Sequence, residues 1–212
     1  MRAEWILTVL VFTSCAVIHE KVPRIGDEPK ASTPSPTKGS ELSFAWNRKD
    51  WDVYLVNAIK DHGLIGKKPS DWERYINVWP TSEQGQIKFW GNILTTMAKY
   101  ESNWDPKRQY KENFKSSSNG KYVISRGLFQ ISKSSSSQKR YGCKWESESE
   151  LHEPAKNIDC SVRIFAYWIK TDGVIRAYKS GWRGPARYWS VLRGTASAHT
   201  KKAYAAIKAA NR

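Results

Sequence analysis

The chain has 212 residues, of which 40% are apolar and 13% aromatic, a composition that excludes a wholly disordered polymer. Its length suits one compact domain with a leader or tail, large enough to bury about two-thirds of its unfolded surface without a staple. A net charge of +15, from 35 basic against 20 acidic residues, favours an anionic partner such as nucleic acid, an anionic membrane or an acidic wall polymer.

In chain order, Trp5 to Phe12 form an apolar stretch that is long enough for a secretory core but too short to span a bilayer. The following Thr-Ser-Cys-Ala-Val segment resembles a bacterial lipoprotein signal, with Cys15 as the lipidated residue. Ser14-Cys15-Ala16 also reads as an ordinary cleavage triplet. Both readings export the protein and remove Cys15 from the thiol inventory. Residues 1–15 are therefore taken as a signal peptide. Residues 16–42, rich in Pro, Ser and Thr, are taken as a flexible tether, because that composition cannot fill a core. Residues 43–212 form the expected folded domain.

The first helix is expected from Arg48 to His62, with Trp51, Tyr54, Leu55, Ala58 and Ile59 on one face and Gly63 at its end. Thr81 or Ser82 caps a second helix from Glu83 to about Glu101. Asp105 to Lys121 reads as a solvated loop rich in Lys, Ser, Asn and Gly. Pro154 opens a helix through Ile169, with Ile158, Val162, Phe165 and Ile169 buried. Val174–Lys179, closed by Gly181, and the segments Tyr188–Arg193 and Lys201–Ala210 read as helical. Sustained period-two alternation is missing, so the fold class is mainly α. Cys143 and Cys160 remain as a pair that closes a short disulfide loop in an oxidising compartment, or as two separate thiols. The four His are scattered, and neither a metal-ligand cluster nor a phosphate-binding glycine loop is found, so no cofactor is expected.

The second helix carries the residue of most chemical interest. Its apolar positions Ile87, Trp90, Leu94 and Met97 are spaced three, four and three, and the next member of the series is Glu101. A carboxyl at the end of a buried stripe is costly when charged, and desolvation raises its pKa toward the range a general acid needs. Alternatively, the helix ends there and Glu101 turns to solvent or to a Lys.

Three segments in order then resemble the catalytic core of the lytic transglycosylase and goose-type lysozyme superfamily. They are Glu101-Ser102 at a helix end, Gly127-Leu128-Phe129-Gln130-Ile131, and Ala177-Tyr178-Lys179-Ser180-Gly181. Asn157 to Ile169 is similar to the family's intervening helix. The resemblance spans roughly Trp79 to Arg193 and implies a lysozyme-like single catalytic domain with a glycan-binding groove. It implies cleavage of peptidoglycan glycan strands at the MurNAc–GlcNAc bond, with Glu101 as general acid/base. The expected products are 1,6-anhydro ends formed by a transglycosylase, with hydrolysis by a lysozyme as the alternative. Ser125, Gly127, Gln130 and Tyr178 are the implied substrate-binding residues, and for Gln130 and Tyr178 packing or capping is the competing reading. Lys179 stands where the family has Asn. A cation beside Glu101 would oppose general-acid chemistry, and the departure leaves room for a cell-wall binding protein without turnover. A second carboxylate for hydrolysis would come from Asp105, Glu112, Asp159 or Asp172. The implied protein is monomeric and exported, to the periplasm or a cell surface. It meets membrane only through a lipid anchor on Cys15 and does not have nucleic acid as its partner.

Overall fold

A computed structural model describes residues 42–117, 120–195 and 197–212. The expected signal peptide with Cys15, and the expected tether up to residue 41, lie outside the described residues. Leu42 already packs against the core, and Phe44 and Trp46 are buried in it.

Helices dominate. Helix α1 is Lys49–Asp61, α2 is Glu83–Ser102, α3 is the short turn Lys133–Ser136, α4 is Pro154–Asp172 and α5 is Ala198–Ala209. Their limits follow from local chemistry. The hydroxyl of Ser82 accepts from the Gly85 amide at 3.1 Å and so caps α2, while Asn103 closes the helix in the left-handed conformation (φ 57°). Pro154 occupies the first turn of α4, and Gly173 at φ 67° ends it three residues beyond the expected Ile169. Helix α1 packs on α4, and α2 packs on α5 and α1.

Much of the tryptophan is core. Trp90 is fully buried and donates Nε1–H to the Leu64 carbonyl at 3.0 Å. Its ring meets Phe89, Trp79 and Phe165 edge-on at centroid distances of 4.8, 6.3 and 5.8 Å. Such edge contacts add specificity to the area these large rings bury. The Cys143–Cys160 disulfide is formed and ties the segment after α3 to α4.

Three expectations are corrected. The Asp105–Lys121 stretch is not simply a loop, because Gln109–Lys115 (β1) pairs antiparallel with Tyr122–Arg126 (β2), with an irregularity between Lys111 and Lys115. Only Glu112 of β1 is partly shielded, so the strand has no buried face to impose an alternating pattern on its sequence. Nor is Val174–Lys179 a helix. The amides of Ile175 and Arg176 donate to the Asp71 carboxylate at 2.8 and 2.9 Å, which takes them out of helical bonding. The chain instead makes a small hairpin, Ala177–Tyr178 (β3) with Trp182–Arg183 (β4). Likewise, the Tyr188–Arg193 stretch holds only a single 3₁₀ turn, Ser190–Leu192.

Candidate active site

A groove of about 1050 Å3, at the upper end of the ~300–1,000 Å3 of ligand pockets, runs across the α2 C-terminus. The β1–β2 hairpin forms one wall, through Tyr110, Glu112, Phe114, Val123 and Ser125. Ser132, Ser135, Tyr188 and Trp189 line another part, Arg193 and the start of α5 a third, and Arg108, Arg140 and Arg187 also face it.

Glu101 lies in this groove one residue before the end of α2. The stripe preceding it is buried throughout: Ile87 is 4% exposed and Trp90, Leu94 and Met97 are fully enclosed. Among the described residues, no side chain hydrogen-bonds its carboxyl. Desolvation therefore dominates and pushes its pKa from the ordinary 4.5 up to about 8, the negative field of Glu112 adds to the rise, and Arg193 opposes it. Burial pulls the Arg193 guanidinium down in turn, and its donors are fixed on backbone carbonyls, Ala186 at 2.8 Å and Arg187 at 2.9 Å. Arg193 thus tempers the charge around Glu101 without forming an ion pair with it.

Glu112 is the second carboxylate in the groove. The Ser125 hydroxyl, on the paired strand, donates to its Oε1 at 2.6 Å. This gives Ser125 a definite place: it is 7% exposed and orients Glu112 rather than Glu101. Asp105, Asp159 and Asp172, the other acids considered from the sequence, do not line the groove. The Asp159 carboxylate meets His62 at 2.7 Å and Arg163 at 3.1 Å, and Asp172 is held by Arg183 and Arg187 at 3.0 and 2.7 Å.

Of the other sequence candidates, Gln130 reaches the groove, but its amide donates to the carbonyls of Gly127 at 2.8 Å and Arg108 at 3.1 Å. It holds the loop that leads from β2. Gly127 is not part of the lining and is needed for a different reason. At φ 75° it sits so close to α4 that a Cβ would lie 2.1 Å from the Leu151 carbonyl and 2.4 Å from Asn157 Nδ2. Buried Asn157 accepts from the Phe129 amide at 3.0 Å and donates to the Leu151 and Arg126 carbonyls at 2.8 and 3.2 Å, locking this loop under the groove.

Tyr178 also stands apart from the groove. It is 68% exposed on the β3–β4 hairpin, with its ring against Trp182 at 5.1 Å. Lys179 is outside the lining too, so the cation that acts on Glu101 is Arg193. Tyr188, which the sequence motifs did not single out, lines the groove within the field of Glu101. Burial raises its pKa, its hydroxyl meets Ser135 Oγ at 2.6 Å, and it feels the charge of Glu101. Its neighbour Trp189 donates Nε1–H to the Phe129 carbonyl at 2.9 Å. Among the described residues, no group of His, Cys, Asp or Glu is placed to hold a metal ion. No helix among them is long and apolar enough to cross a membrane.

Comparison with known proteins agrees with this architecture. The profile of the transglycosylase SLT domain matches residues 81–204. A solved structure of wild-type DslA is 35% identical, with a TM-score of 0.67, over 74% of this chain and 87% of that one. Structures of two DslA variants, each with one glutamate replaced by glutamine, match at 34% and 35% identity with the same coverage and TM-score. A search of curated protein sequences finds no significant match. The match covers the α2 end, the hairpin, α4 and the start of α5, which together build the groove. With its mainly α, lysozyme-like fold, this chain belongs to the transglycosylase SLT-domain family, whose members act on peptidoglycan outside the cytoplasm.

Proposed function

We propose that this protein cuts the β-1,4 bond between MurNAc and GlcNAc in peptidoglycan, with Glu101 as general acid and then general base, as a lytic transglycosylase. The observation that carries this reading is Glu101 itself, a groove carboxyl that desolvation holds protonated up to a pH of about 8. In the first step, its proton passes to the glycosidic oxygen, the bond from that oxygen to C1 breaks, and positive charge develops on the MurNAc ring. The carboxylate left behind then takes the proton of the MurNAc C6 hydroxyl as O6 bonds to C1. The result is a 1,6-anhydro end with no water consumed, and Glu101 is again protonated.

A second reading, hydrolysis, is favoured by one specific observation: Glu112 faces the same groove and its charge reaches Glu101. Two carboxyls flanking the bond are what a water-consuming glycosidase uses, one as acid and the other to take a proton from water. In the DslA variants the two replaced glutamates are eleven positions apart, the same separation as Glu101 and Glu112 here.

Mass spectrometry of products from purified peptidoglycan, with wild type beside Glu101→Gln, tests both readings. Anhydro-muropeptides that vanish in the variant support the transglycosylase. Reducing-end products that vanish support the hydrolase, and their loss in Glu112→Gln as well then assigns water activation to Glu112. Products that persist undiminished in Glu101→Gln overturn the role given to Glu101.

A further inference from the structure

A second cavity, of about 170 Å3, lies between the end of α1 and the middle of α4. Lys67, Arg140, Arg163 and Lys170 line it together with His62 and Tyr167, and no carboxylate does. Among the described residues, Lys67, Arg140 and Lys170 have no acidic partner. Asp159 bonds His62 at 2.7 Å and Arg163 at 3.1 Å, so a single carboxylate answers the whole cluster. The carbonyl end of α1 adds about half a negative charge, which leaves the cavity with a clear cationic excess.

Arg163 is the most informative member. Its Nη1 donates to the Gly142 carbonyl at 3.2 Å and its Nη2 to Asp159, but its Nε is buried with no acceptor. A buried guanidinium N–H is normally satisfied, and guanidinium and ammonium groups converging on one space recognise an oxyanion, carboxylate or phosphate. Arg140 links this cavity to the groove, since it lines both. Its guanidinium is held over the rings of Tyr141 and Trp168 at 5.1 and 5.2 Å.

We infer that this cavity is an oxyanion site that takes an acidic group branching from the strand held in the groove, a stem-peptide carboxylate or a wall phosphate. The link to the strand rests on the peptidoglycan reading above, whereas the site itself does not. It explains why the basic residues concentrate here around a single carboxylate, Asp159, and why the Nε–H of Arg163 is left without an acceptor.

The test is NMR of the arginine Nε–H signals in the full chain, titrated separately with inorganic phosphate and with N-acetyl-D-alanine. The expected result is a saturable shift of the Arg163 signal with at least one of them, weakened roughly tenfold or more in Lys67→Ala/Lys170→Ala. Saturation by the carboxylate alone names the peptide, and saturation by phosphate alone names a phosphate polymer. A shift that never saturates, or one equal in the double variant, overturns the inference. In the carboxylate case, the double variant also raises KM for peptide-bearing glycan and leaves KM for peptide-stripped glycan unchanged. The binding measurement does not depend on turnover, so its failure is distinguishable from failure of the proposed reaction.

Discussion

Replacing Glu101 by Gln should stabilise the protein at neutral pH while abolishing cleavage. The carboxyl has an ordinary pKa of 4.5 and a value of about 8 in the folded chain. Folding therefore favours its protonated form. Below pH 4.5 the folded and unfolded states both hold the proton, and the group's effect on stability is fully favourable. As pH rises from 4.5 to 8, the unfolded chain releases the proton while the folded chain keeps it, and stability falls by about 1.4 kcal/mol per pH unit. At pH 7 wild type has lost about 3 kcal/mol through this group, and by pH 9 about 5 kcal/mol. Glutamine has the shape of the protonated acid and no charge to desolvate, so the variant escapes the loss.

Chemical denaturation of both proteins between pH 4 and 9 measures the difference directly, because every other titrating group is shared. The curves should coincide near pH 4 and diverge steadily above it. At pH 7 the variant should gain roughly 6–12 °C in Tm, at about 2–4 °C per kcal/mol for a domain of this size. Parallel curves across the range, or a variant less stable at pH 7, would refute the claim that burial holds Glu101 protonated.

The two charges that act on Glu101 should move its titration in opposite directions. Glu112→Gln removes a like charge and lowers the Glu101 pKa, and Arg193→Gln removes a cation and raises it, both followed by the 13C carboxyl signal of Glu101. Movement in the same direction, or none, would place the control of Glu101 elsewhere. Removing the Cys143–Cys160 bridge, with a sequence separation of 17, should cost about 3 kcal/mol of stability in denaturant while leaving the groove and its activity intact at low temperature. A loss under about 1 kcal/mol would mean that the unfolded chain is already restrained in this region.

The place of Glu101 was legible in the sequence because it closes a 3-4-3-4 series whose every other member is buried, and because a helix repeats its faces so regularly. The ends of α1, α2 and α4 were legible to within a few residues for similar reasons: caps and breakers act locally. Glu112 was named from the sequence only as one of four acids, because nothing local sets it apart. Its importance comes from β1 folding back along the groove, and β1 is solvent-exposed on nearly every residue. A strand without a buried face leaves no periodic trace. The Val174–Lys179 error has a different origin. The segment has adequate helix formers, but a carboxylate more than 100 residues earlier, Asp71, captures its amides. A long-range contact also fixes Tyr188 in the groove, through Ser135.

The strong positive charge and the protonated acid look incompatible from the sequence, since cations depress carboxyl pKa values. The structure separates them by range. Arg108, Lys115, Arg140 and Arg187 line the groove, yet among all these cations Arg193 is the one whose field acts on Glu101, with its donors occupied by backbone. Arg187 is answered by Asp172 at 2.7 Å. Cations at the rim attract an anionic polymer over about a Debye length, ~8 Å at physiological salt. Desolvation of Glu101 acts at contact distance and is not screened. A basic surface and a raised carboxyl pKa therefore coexist because one effect reaches outward through solvent while the other comes from the protein packed around a single half-buried carboxyl.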